Sequence, residues 1–262
     1  MAVITSRFKP VANRIMARFG YQVSRIQQPF VERKDCRIAG RIVEMVGASG
    51  VGKSTTLRSA KPHLGAAWNF EYPHPSNEID SVNENERLYR DLLSDRSKEI
   101  ILDRDMRNVK PLFSHCYDVM MGEMTLLKSG YKESGYMFDE GFFHLFGAFM
   151  LRRTQKGILC KDEAISLLAN RSIIVFDADS ATILQRLRQR KESMPGAVND
   201  LLSSYTISEI EKRVKMHYAS NKDFLDFCYA AGCRIFRIDA NADLDGRVEQ
   251  LLSIESLIVD EE

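Results

Sequence analysis

The chain of 262 residues has no long hydrophobic run, few cysteines and no surplus of charge of either sign. Its longest strongly apolar stretch, Phe142 to Leu151, is ten residues long and is interrupted by His144. A bilayer-crossing helix needs roughly 20, so no spanning segment is expected. The five cysteines (Cys36, Cys116, Cys160, Cys228 and Cys233) are odd in number and never spaced C-x-x-C. That speaks against a disulfide framework or a thiolate zinc site and for reduced, mostly buried thiols. Lys plus Arg number 37 against 36 Asp plus Glu. The chain therefore lacks the polyelectrolyte character of a dedicated nucleic-acid binder, and no nucleic-acid partner is expected. The amino terminus shows no apolar segment followed by a small-residue cleavage site, so the expected location is cytoplasmic. The seven prolines are dispersed, and neither a repeat nor a low-complexity tract is present.

Against this even background, residues 1–40 stand apart, with eight basic residues facing only Glu32 and Asp35. The remainder is net acidic. Val11, Ile15, Met16 and Phe19 recur at helical spacing before Gly20, which describes a short basic amphipathic helix. Such an extension could touch the anionic inner face of a membrane peripherally, or a partner. Packing on the main domain is the alternative. The expected partition is an N-terminal extension, 1–40, and one domain, 41–262.

From Arg41 onward, short apolar runs alternate with longer amphipathic stretches, the pattern of a parallel sheet wrapped by helices. Strands are expected near 41–46, 67–70, 135–139, 172–177 and 234–238. Helices are expected at about 52–62, 83–95, 108–129, 141–155, 161–169, 179–191, 206–231 and 244–256.

The first strand, Arg41 to Val46, runs directly into Gly47-Ala48-Ser49-Gly50-Val51-Gly52-Lys53-Ser54, and Thr55 opens a helix-forming segment. This is G-x-x-x-x-G-K-[ST] between a strand and a helix, a phosphate-binding P-loop. Glycines let the backbone curl so that successive N–H groups point inward at phosphate oxygens, on the positive end of a helix. Lys53 would supply a point charge to the terminal phosphates, and the Ser54 hydroxyl would coordinate Mg²⁺. About 85 residues further on, Tyr136-Met137-Phe138 leads into Asp139-Glu140-Gly141. Acids at the carboxyl end of a parallel strand fall where ligands bind in an open α/β sheet. Asp139 could hold the metal or accept the proton of an attacking hydroxyl, and Glu140 is the second candidate for either role.

The loop, the FDEG strand end, the run Ile173 to Asp179 leading into Ile183-Leu184-Gln185-Arg186-Leu187-Arg188-Gln189-Arg190, and the closing Phe236 to Asn241 together resemble the nucleoside and nucleotide kinase-like branch of the P-loop proteins. The resemblance implies an α/β, three-layer P-loop NTPase fold with about five mostly parallel strands, helices on both faces and a helical lid. It implies ATP and Mg²⁺ as cofactors. It puts Arg186 and Arg190 at the lid arginine positions, with the lid itself at Lys191 to Ala197, and sets adenine near Asn241. No D-R-[YFH] triplet follows the acidic strand end, so the phosphate acceptor is left open.

The roughly 65 residues between the second and third strands exceed a plain crossover, and acceptor specificity should reside there. Phe142, Phe143, Phe146 and Phe149 form an aromatic face that is more often core than binding site. Arg152 and Arg153 are further phosphate candidates. Asn221-Lys222-Asp223-Phe224 mimics a guanine-reading tetrapeptide but has Phe224 where the base-binding Asp is needed, against a GTPase switch. The expected function is an ATP-dependent kinase moving a γ-phosphoryl group to a small-molecule acceptor, either a nucleoside or nucleotide or a sugar or saccharide hydroxyl. The alternative is a P-loop ATPase with a regulatory or macromolecular partner.

Overall fold

The computed structural model describes residues 42–65, 68–73, 84–103, 106–129, 135–168, 171–193 and 206–260. The basic extension 1–40 and most of the expected lid, from residue 194 on, lie outside the described residues.

Five strands form one sheet: β1 (Ile42–Val46), β2 (Trp68–Asn69), β3 (Gly135–Phe138), β4 (Arg171–Asp177) and β5 (Arg234–Asp239). Their order is β2-β3-β1-β4-β5 and every neighbouring pair is parallel. The expected "mostly parallel" sheet is therefore wholly parallel among the described residues. In register, Val43 of β1 lies between Met137 of β3 and Ser172 of β4. β1 and β4 are buried almost throughout, with continuous apolar runs such as Ile173 to Phe176, because both of their faces are covered, the usual condition of a parallel sheet.

The helices are α1 (Lys53–Ala60), α2 (Glu84–Asp103), α3 (Met106–Ser129), α4 (Ala148–Gln155), α5 (Lys161–Leu168), α6 (Ser180–Ser193), α7 (Ile207–Ala230) and α8 (Leu244–Asp260). Successive residues of β4 divide between two cores, as the two-residue period of a strand requires. Ile174 and Phe176 pack with Leu57 of α1, Ile183 and Leu187 of α6 and Leu251 and Ile254 of α8. Ile173 and Val175 pack with Tyr89 of α2, Met120 of α3, Leu167 of α5 and Leu225 of α7. The result is three layers.

Two elements differ from expectation. Helix α2 runs on to Asp103 rather than stopping near residue 95, because Ile100 continues its buried stripe. The segment expected as one helix over 141–155 begins instead as a π-helical turn, Phe143–Gly147, before α4. That turn buries Phe143, Leu145, Phe146 and Gly147 together. Single π turns of this kind recur at functional sites.

Candidate nucleotide-binding site

Because all strands run parallel, the ends of β1, β3, β4 and β5 meet along one edge of the sheet. The loop after β1 turns sharply there. Gly52 has φ 108° and caps α1, and a Cβ at this residue would lie 3.2 Å from a guanidinium nitrogen of Arg247. The backbone angle demands glycine, and a Cβ would also press on that guanidinium. Thr56 N–H donates to Gly52 O at 2.9 Å, which starts α1. Ala48 and Val51 are buried, and Ser49, Ser54 and Thr55 are exposed at the rim.

Lys53 is only 7% exposed, yet its Nζ donates to Gly47 O at 2.9 Å and Ala48 O at 3.4 Å rather than to a carboxylate. Burial pushes its pKa down, while the charges of Glu140 and then Asp139 pull it back up. The two acids at the end of β3 thus act on the loop lysine across the β1–β3 pair. Asp139 is half-buried and Glu140 exposed.

Arg186, on α6, donates from Nη1 to Val51 O at 2.9 Å, and Leu187 lies against Gly50. The arginine helix is therefore docked on the loop. Arg190 is exposed one turn further along the same helix. On the far side of β4, Asn241 Oδ1 accepts from Asp179 N–H at 3.2 Å, and its own N–H donates to Asp239 Oδ1 at 2.9 Å. Asp177, Asp179, Arg237, Asp239 and Asn241 border a cavity of about 490 Å³ at the ends of β4 and β5. The Asp177–Arg237 ion pair, 2.8 Å, lies beside it. The sheet edge thus brings Gly47 to Thr55, Asp139, Glu140 and Arg186 to one place, with Asn241 beside a neighbouring cavity.

Other candidates go elsewhere. Arg152 pairs with Glu99 and Arg153 with Asp95 of α2, each at 2.6 Å. They tie α4 to α2 and are occupied by acids. Phe142, Phe143, Phe146 and Phe149 are all buried in the core. Asn221 to Phe224 lie inside α7, where Phe224 meets the Phe143 ring edge-on at 5.7 Å between centroids.

Three residues that matter to the site were not singled out from sequence. Glu44 is fully buried in β1 and accepts from Phe143 N–H at 2.8 Å. Arg171, 1% exposed, donates to Glu44 Oε1 at 2.7 Å. Arg247 on α8 is 6% exposed beside Gly52. The signal for Glu44 was present, since a lone carboxylate in Ile-Val-Glu-Met-Val is out of place unless it is paired.

The loop, the sheet, wholly parallel among the described residues, and the layered helices define a three-layer α/β P-loop fold. The sequence matches no protein-family model and no curated protein. Among solved structures, a deoxyadenosine kinase from M. mycoides with bound dCTP is similar at 15% identity. The match covers 81% of this chain and 97% of that one, with a TM-score of 0.40. Among the described residues no helix is long and apolar enough to cross a membrane.

Proposed function

We propose that this chain is an ATP-dependent phosphotransferase that moves the γ-phosphoryl group to a hydroxyl or phosphate of a small-molecule acceptor. The observation that carries this is the buried Lys53 ammonium, which among the described residues donates to loop carbonyls and no carboxylate, with the charges of Glu140 and Asp139 acting on it from the neighbouring strand end. A desolvated cation with no carboxylate partner of its own suits a ligand that brings negative charge. The acids across from it suit an acceptor that must lose a proton.

In this scheme the backbone from Gly47 to Thr55 cradles the phosphates, and Lys53 neutralises charge on the transferred group. Asp139 or Glu140 accepts the acceptor proton as the new P–O bond forms and the bond to the β-phosphate oxygen breaks. Arg186 and Arg190 close over the phosphates and exclude water. Asn241 borders the base. The exposed Ser54 hydroxyl and the Asp139 carboxylate are an all-oxygen donor set of the kind Mg²⁺ takes. Bound there, Mg²⁺ would offset charge on the phosphate oxygens.

The test is ATP consumption by the full chain with Mg²⁺, alone and with pooled nucleosides, nucleotides, monosaccharides and glycan ends, following the γ-phosphate by mass. Phosphate appearing on one acceptor, with little hydrolysis in its absence, is the expected result. Steady hydrolysis indifferent to every acceptor would replace the proposal with an ATPase acting on a macromolecular partner.

A further inference from the structure

Arg247 opens the second turn side of α8, four residues after Asp243, whose carbonyl accepts its N–H at 3.2 Å. It is 6% exposed, and its Nε has no hydrogen-bond partner among the described residues. Its Nη1 makes one long contact, 3.5 Å, to Ala240 O. The guanidinium lies flat against Gly52, with Nη1, Cζ and Nη2 at 3.2, 3.4 and 3.7 Å from where a Cβ would stand. Asp243, the acid whose charge acts on it, uses Oδ1 to accept from Gly246 N–H at 2.8 Å.

The other charge acting on Arg247 is Arg186. After burial itself, repulsion from Arg186 is the largest influence lowering the Arg247 pKa. Arg186 contacts Val51 and Arg247 contacts Gly52, so two guanidinium groups flank consecutive residues of the phosphate loop. Among the described residues neither forms an ion pair with a carboxylate. A buried guanidinium with an unpartnered Nε, repelled by the half-buried Arg186 and only partly offset by Asp243, is unfavourable in the empty protein. It becomes favourable when a polyanion arrives, because planar guanidinium forks match phosphate oxygens.

We infer that Arg247 is a donor-phosphate binding residue, acting with Arg186 and Lys53 on the triphosphate chain of the bound nucleotide. This rests on the proposed use of ATP and adds a cation supplied by the helix after the last strand.

The test measures dissociation constants of ATP and of inorganic tripolyphosphate, which has no base, for the full chain and for Arg247→Met and Arg247→Lys. Met keeps the apolar stem and removes the charge. R247M should weaken both ligands about tenfold or more, R247K should be intermediate, and the ligand-free melting temperature of R247M should be no lower than that of the parent. Loss of ATP affinity alone would move the contact to the base or ribose and overturn the assignment. Unchanged affinity for both would overturn it outright. If R247M does not fold, R247K decides: several-fold weaker binding of both ligands supports the inference, and parental affinities refute it. A parent protein that binds neither ligand would instead bring down the proposed function, and this inference with it.

Discussion

Arg171 Nη1 lies 2.7 Å from Glu44 Oε1, and both side chains are completely shielded from solvent. The same guanidinium reaches Glu123 of α3 and the Tyr89 hydroxyl of α2, and its Nε donates to Leu167 O. Glu123 in turn accepts from Tyr72 O–H at 2.9 Å and Tyr89 O–H at 3.1 Å. One cation therefore holds two buried carboxylates, and the cluster joins β1, β4, α2, α3 and the loop after β2. Removing Arg171 strands both acids in a dry core. Arg171→Met should cost about 3–5 kcal/mol, read from urea midpoints, with Arg171→Lys less damaging. A loss under about 1 kcal/mol would show that water enters the cluster.

With two acids sharing one arginine, burial pushes the Glu44 pKa from 4.5 up to about 7, chiefly by desolvation and against the pull of Arg171. In the unfolded chain Glu44 should titrate near its ordinary value. Between about pH 4.5 and 7 the folded protein therefore holds a proton that the unfolded chain has lost, and stability must fall as pH rises through that window. Above about pH 7 the contribution is flat. The total is roughly 3 kcal/mol. Melting curves from pH 4.5 to 8.5 for the parent and Glu44→Gln isolate it: the parent-minus-variant difference should decline with rising pH. A difference independent of pH would mean that Glu44 is ionised throughout.

Lys53 presents the opposite case, a buried cation whose partners among the described residues are carbonyl oxygens. Lys53→Met keeps the aliphatic stem and removes the desolvated charge. Phosphotransfer should fall by at least about 10²-fold, while the ligand-free melting temperature should stay level or rise. Retained turnover would remove the loop lysine from the chemistry. Lost turnover accompanied by unfolding would assign Lys53 a structural role.

Much of this fold was legible in the sequence because its signals are local. The β1 run and the glycines of residues 47–52 are contiguous, and β4 shows its apolar stretch within seven residues. What escaped depends on contacts across long stretches of chain. Arg171 stands one residue before the expected β4, and its partner Glu44 is 127 positions away. Arg247 sits in an amphipathic helix where arginine is ordinary, and only the approach of α8 to Gly52 sets it apart. The π turn was hidden for the same reason, since its first N–H donates to Glu44, 99 positions away.

Gly141 directly follows the two candidate acids, and a Cβ there would collide with Glu44 Oε2, the oxygen that accepts from Phe143 N–H. The carboxylate occupies the space that a side chain at 141 would need, so it fixes the path of the chain from Asp139 into the π turn. Gly141→Ala must displace either the carboxylate or that backbone. A cost of about 1–3 kcal/mol is expected, together with lower turnover as Asp139 and Glu140 shift. In a Glu44→Ala background the space is free, so adding Gly141→Ala should cost much less than it does alone. A coupling of about 0.5–3 kcal/mol is the expected size for residues in contact. Urea denaturation of the four proteins gives this coupling directly. Strictly additive losses would show that the Glu44 carboxylate does not hold the strand end, and the link from the buried cluster to the candidate acids would be lost.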